Sequence, residues 1–165
     1  PCGWHGDREH GCRYSTSQRQ RYWQRLSGPL LDRLDLQLRL ERRNAHAVKT
    51  CMTEPIHATN RGNWIEPARI EQARQRMHLR NPGGGCNRFL SAHALRNVGR
   101  FQPSALKLWE QLIDNRGLTT RSGLQLLRVA RTIADLNNNE DVNVEEVAEA
   151  SCFRCSDLIR QSIAQ

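Results

Sequence analysis

Two arginines and a loop of cysteines and histidines are the residues whose type and place could do chemistry. Arg33 ends the run Ser27-Gly28-Pro29-Leu30-Leu31-Asp32-Arg33. Gly28-Pro29 breaks what precedes it, and Pro29 suits the first position of a new helical turn that Leu30 and Leu31 bury. Directly after Arg33 the chain alternates: Leu34, Leu36, Leu38 and Leu40 against Asp35, Gln37 and Arg39. That is the period of a half-buried strand. The pattern therefore predicts an arginine held at a stiff corner between a helical turn and a strand. A planar guanidinium there can clamp phosphoryl oxygens, or simply pair with Asp32 or Asp35 on the surface.

Arg121 falls in the first turn of a helix that Thr119 caps, where a positive charge opposes the helix dipole. Free N–H groups at a helix N-terminus bind anions, so an arginine added there makes a phosphate site. The same side chain could instead reach a neighbouring carboxylate. Cys2, His5, His10 and Cys12 lie in one glycine-rich stretch. Sulfur and imidazole ligands suit tetrahedral zinc, although this spacing matches no standard finger. Cys152-x-x-Cys155 falls on the expected buried stripe of the last helix, with Val147, Ala148, Ser151 and Ile159, and reads as a core pair.

These residues must be positioned by helices. Ser15-x-x-Gln18 is a capping-box start for a helix to about Leu26, with Tyr22, Trp23 and Leu26 buried and Arg19, Arg21 and Arg25 outward. Residues 41–62 show no period and read as a linker or insertion, with His46 and His57 as isolated histidines. A helix is expected from about Trp64 to Arg80, with Ile70, Ala73 and Met77 buried. Arg69, Arg74, Arg76 and Arg80 form its basic outer face. Asn81-Pro82-Gly83-Gly84-Gly85 ends it. Ser91 caps a short helix carrying His93 and ending at Arg96. Pro103 to Arg116 forms the next, with Leu106, Trp109 and Ile113 on one stripe and Gly117 as C-cap. The helix after Thr119 buries Leu126, Leu127, Ala130, Ile133 and Ala134, leaving Gln125, Arg128, Thr132 and Asp135 on its polar side with Arg121. Asn143 with Glu146 caps the last.

Composition narrows the function classes. The 165 residues can bury a proper core without staples. Mean hydropathy is −0.73, and no apolar run is long enough to span a membrane. A net charge of +8 favours phosphate-bearing partners, nucleotide or nucleic acid. The six cysteines show no dense spacing and read as reduced thiols of a cytoplasmic protein. With no initiator methionine, Pro1 reads as a cut end. Neither a Gly-x4-Gly-Lys-[Ser/Thr] phosphate loop nor an apolar run ending in Asp-Glu occurs.

Tyr22-Trp23 leading into Ser-Gly-Pro-Leu-Leu-Asp-Arg (27–33) resembles the magnesium-chelatase-like AAA+ ATPases, in their competence ComM/YifB branch. Leu-Leu-Arg-Val-Ala-Arg-Thr-Ile-Ala-Asp-Leu (126–136) is similar to that family's lid helix almost residue for residue. The resemblance implies that Arg33 is the arginine finger and Arg121 the sensor-2 residue. It implies a mainly α chain: the end of an AAA+ α/β core, one strand plus helices, over 1–40; a linker over 41–62; and an α-helical lid over 63–165. ATP and magnesium are the implied cofactors, with self-association into a ring and DNA as the substrate. Cys2 and Cys12 match two of the four cysteines in the family's metal-type loop, and Tyr14 replaces the last. Zinc, held with His5 and His10, is therefore expected to be substoichiometric. Without the phosphate loop, this stretch alone is expected to be inactive as an ATPase. Two other classes remain open: a non-catalytic basic helical module that binds nucleic acid, with or without zinc, and a chelatase subunit of porphyrin chemistry.

Overall fold

In the computed structural model the described residues are 10–25, 28–38 and 66–154, with single positions 45, 46, 49 and 52 between them. They are overwhelmingly helical. The elements are α1 (Thr16–Trp23), α2 (Gly28–Leu31), α3 (Pro67–Arg80), α4 (Ala92–Val98), α5 (Pro103–Arg116), α6 (Thr120–Leu136) and α7 (Val144–Cys152). Two single 3-10 turns, Pro82–Gly84 and Asn87–Phe89, join α3 to α4. The second half is therefore helical, as expected, and several helix starts fall where the capping residues lie. Ser15 closes a capping box, Ser91 and Thr119 accept from the N–H three residues on, and the Asn143 N–H donates to Glu146 Oε2 at 2.8 Å. At the far end of α5, Gly117 takes the left-handed conformation (φ 57°) that a side chain would strain.

Helix α6 is the central element, with α3, α4, α5 and α7 packed around it. Leu126, Ala130, Ile133 and Ala134 meet Ala105 of α5 and Val147 and Ala150 of α7 in the main core, which Val142 completes. Leu127 faces a second cluster with Leu90 and Leu95. Helices α5 and α6 approach closely at Gly123, whose carbonyl accepts the Trp109 indole N–H at 2.9 Å. A methyl group there would stand 3.0 Å from Ile113 Cδ1.

Because α6 is enclosed, its polar side is buried too. Asp135 and Gln125 are not on a solvated face: their exposures are 0% and 4%, and Arg131 is at 1%. Polar groups survive such burial only when hydrogen-bonded, and these are. Asp135 accepts from both terminal nitrogens of Arg80, from Arg131 Nη2 at 3.0 Å and from Asn87 Nδ2 at 2.8 Å. Arg131 also donates to the Gly99, Asn139 and Glu140 carbonyls. Burial pushes its guanidinium pKa down, and the Asp135 charge opposes that shift.

The same packing corrects the basic face expected on α3. Arg80 is held by Asp135. Arg69 donates to the Leu136 carbonyl at 3.0 Å, and Arg76 binds the Asn138 side chain. Arg69 thus satisfies a carbonyl at the C-terminal end of α6, where free carbonyls and the dipole favour cations, and Arg76 binds the turn just beyond it. Ile70, expected in the core, is exposed.

Further expectations fail. Tyr22, expected to be buried, is 44% exposed. Residues 34–38 form no strand, and Leu34, Leu36 and Leu38 point outward while Gln37 is buried. No other strand among the described residues is available to pair with them. Instead Gln37 N–H donates to the Phe153 carbonyl at 2.8 Å, and its side chain to the Leu31 carbonyl. That turns the polar edge of the alternation inward. In α7, Ala148 and Cys152 are exposed, because Val147, Ala150 and Ser151 take the inner face. Cys155 lies outside the described residues, as does the core-pair reading it belonged to.

Candidate functional site

Arg33 follows the short helix α2. The turn is closed by Arg33 N–H to the Leu30 carbonyl at 3.0 Å and Leu34 N–H to the Leu31 carbonyl at 3.1 Å. Leu30 itself is 45% exposed, so the turn is held by its backbone and by what Asp32 contacts rather than by burial of leucine. Arg33 is exposed and forms no ion pair among the described residues. Asp32 and Asp35 are engaged elsewhere. Asp35 lies 3.9 Å from Arg88, an exposed pairing of little energetic weight.

Asp32 reaches α6. Its Oδ2 accepts the Thr119 hydroxyl at 3.0 Å and its Oδ1 the Ser122 hydroxyl at 2.9 Å. Thr119 is the N-cap, and its oxygen in turn accepts the Ser122 N–H at 3.1 Å. A carboxylate thus sits at the positive end of the helix, bound through the capping side chains. Arg121 precedes Ser122 and is exposed, also without an ion pair among the described residues. The two arginines singled out by their surroundings, 88 positions apart in number, therefore flank one hydrogen bond: Arg33 follows the acceptor residue and Arg121 precedes the donor. Among the described residues neither guanidinium is taken up by a carboxylate.

A residue that pattern reading passed over completes this junction. Arg154, just beyond α7, is buried at 5% exposure. Nη1 donates to the Leu34 carbonyl at 3.2 Å; Nη2 donates to the Ser122 carbonyl at 3.4 Å and to Gln125 Oε1. Burial lowers its pKa, and the charges of Asp32 and Asp35 raise it. Its sequence signal was slight: an arginine one turn past an apolar stripe, with no partner nearby in the chain.

The cysteine–histidine loop is only partly visible. Cys2 and His5 lie outside the described residues; His10 is exposed and Cys12 half-buried. Among the described residues no three His, Cys, Asp or Glu side chains are grouped to hold a metal ion. His10 and Cys12 supply two donors where tetrahedral zinc takes four, so no zinc chemistry follows from them. Similarly, no helix among the described residues is long and apolar enough to cross a membrane.

Comparison with known proteins gives a consistent picture. Residues 66–154 match the family described as magnesium chelatase, subunit ChlI C-terminal, and residues 1–48 match magnesium chelatase, subunit ChlI. The uncharacterized protein YifB of Escherichia coli is 30% identical over 148 residues, covering 89% of this chain and 28% of that protein. The uncharacterized protein Rv2897c of Mycobacterium tuberculosis is 32% identical over 143 residues, 87% of this chain and 27% of the other. Competence protein ComM of Haemophilus influenzae is 26% identical over 152 residues, 92% and 28% respectively. The chain spans less than a third of the length of these relatives.

Proposed function

The chain belongs to the magnesium-chelatase-like family of which YifB and ComM are relatives, and on that premise we propose that it is the finger-and-lid portion of an AAA+ ATPase. Residues 1–40 end the nucleotide-binding core, 41–62 link, and 63–165 form the lid. ATP and magnesium are the cofactors of the intact protein in this reading; no phosphate-loop motif occurs in these 165 residues. Arg33 is the arginine finger: exposed at a braced turn, it reaches a nucleotide held by a neighbouring subunit, so the protein works as a ring. Arg121 is the sensor-2 residue on the lid. Each contributes a guanidinium that binds phosphoryl oxygens and neutralises charge developing there, the main protein contribution to phosphoryl transfer.

The observation that carries this reading is the Asp32–Ser122 hydrogen bond of 2.9 Å, which ties the turn bearing Arg33 to the turn bearing Arg121. Two exposed cations on linked turns suit one polyanionic ligand better than two unrelated surface positions. DNA is the polymer we assign as substrate, supported by the +8 charge and by the exposed Arg21 and Arg25 around the end of α1. The test is hydrolysis by the full-length protein. Arg33→Ala should leave folding and nucleotide binding intact while kcat falls about a thousandfold, the lower range for a lost finger. Unchanged turnover would exclude the finger assignment.

A further inference from the structure

Arg154 is hard to explain as packing. A buried guanidinium costs free energy that a methionine of similar volume does not, unless its donors are used well. Here no carboxylate among the described residues lies within ion-pair distance of it, and its Nε is buried without a partner. What the side chain does is join two segments. One arm of the fork donates to the Leu34 carbonyl, 120 positions away, and the other to Ser122 and Gln125 on α6. The neighbouring Phe153 carbonyl accepts the Gln37 N–H, so the end of α7 grips the corner at two points. Helix α5 steadies that end from the other side, through Arg116 Nη1 to the Ser151 carbonyl at 3.2 Å.

Leu34 is bonded to Arg33, and Ser122 to Arg121. A single rigid group therefore touches the backbone next to each arginine. We propose that Arg154 is a positioning residue that fixes the Arg33 corner against the Arg121 turn, so that the two cations face a nucleotide as one unit. This rests on the nucleotide role assigned to Arg33 and Arg121 above. The planar fork is what the task needs, because an ammonium is a single point and cannot span both carbonyls. Gln125 adds a third acceptor that sets the plane of the fork. Arg154 touches no substrate; it acts through the two backbones it holds.

The experiment is a mutant cycle in the full-length protein, reading kcat and KM for ATP together with the melting temperature. Arg154→Ala should lower kcat about tenfold to a hundredfold, the cost of misplacing catalytic groups by about an ångström, while KM moves less than about threefold. Added to the Arg33→Ala/Arg121→Ala protein, whose residual hydrolysis is followed by release of labelled phosphate, Arg154→Ala should change nothing further. Residues acting as one unit behave that way, whereas a merely structural defect costs the same factor in both backgrounds. Equal factors, or an unchanged kcat in a stably folded Arg154→Ala protein, overturn the proposal. If Arg154→Ala folds poorly, Arg154→Lys carries the same cycle; it keeps the charge but should still lose about tenfold. If it hydrolyses ATP like wild type, the fork is unnecessary and the proposal fails. Wild-type hydrolysis by the Arg33→Ala/Arg121→Ala protein would instead remove the nucleotide reading itself, and this proposal with it. A strong loss there with an indifferent Arg154 would leave that reading standing alone.

Discussion

Asp32 and Ser122 meet through a 2.9 Å hydrogen bond although 90 positions separate them in the chain. The bond belongs to a small circuit, since Thr119 caps α6 and also donates to the same carboxylate. Removing the carboxylate leaves two hydroxyls and the helix dipole without their acceptor. Asp32→Ala should lower stability by about 1–2 kcal/mol, the usual range for charged hydrogen bonds at a helix start. Asp32→Asn, which keeps one acceptor oxygen, should lose roughly half of that. Urea midpoints measured on the full-length protein decide it; equal midpoints for wild type and Asp32→Ala would mean the contact contributes nothing.

Asp135 should be among the most sensitive positions in the helical half. Its side chain is wholly buried between Arg80 and Arg131. Replacing it leaves Arg131 as an uncompensated charge in the interior, which costs about 3–5 kcal/mol when a buried pair is broken. Asp135→Ala should therefore unfold or nearly unfold the bundle. Arg80→Ala should cost less, because the Arg80 side chain is 17% exposed and Arg131 still answers Asp135. A calorimetric scan with the order reversed would refute this account of the network.

The finger role proposed for Arg33 across a subunit boundary makes a prediction about mixtures. Subunits carrying Arg33→Ala keep an intact phosphate-binding core, and subunits with a disabled phosphate loop keep Arg33. Mixed rings contain interfaces where both functional halves meet, so turnover should rise above that of either mutant alone. No recovery at any mixing ratio, in material shown to co-assemble, argues that Arg33 acts only within its own subunit.

Binding of DNA should be insensitive to sequence and should fall steeply with salt, because contacts to phosphate release counterions. The structure sharpens which arginines matter. Arg69 and Arg76 are engaged with the end of α6, so Arg69→Ala should reduce thermal stability and leave the salt slope alone. Arg21→Ala or Arg25→Ala should each flatten the slope by about one unit, the signature of one lost phosphate contact. Equal effects of Arg69→Ala and Arg21→Ala on the slope would contradict this division of labour.

Much of the helical half is legible because its signals are local. Ser15, Ser91, Thr119 and Asn143 each announce a helix through a partner three residues on. Pro103 and Gly117 bracket α5 for the same reason. Leu126, Leu127, Ala130, Ile133 and Ala134 are buried as their spacing requires. The burial of Asp135 and Arg154 was illegible: Arg80 lies 55 positions from Asp135 and Leu34 120 from Arg154, and although Arg131 stands four residues before Asp135, that spacing suits a solvated pair as well as a buried one. The basic face of α3 was legible only in part: Arg69 and Arg74 are exposed as expected, but charge pattern alone cannot tell a solvated arginine from one such as Arg80 that binds another helix. Leucine alternation at 34–38 gave the period of a strand, but a strand forms only where a neighbour offers its backbone.

Helix α6 has 17 residues, and at about 1.5 Å per residue its axis is roughly 25 Å long. Asp32 holds it at Thr119 and Ser122, and Arg69 at the Leu136 carbonyl. A rod pinned at both tips has little freedom to bend or slide. Helix α6 is in this sense a strut: it sets the distance between the corner that carries Arg33 and the start of α3.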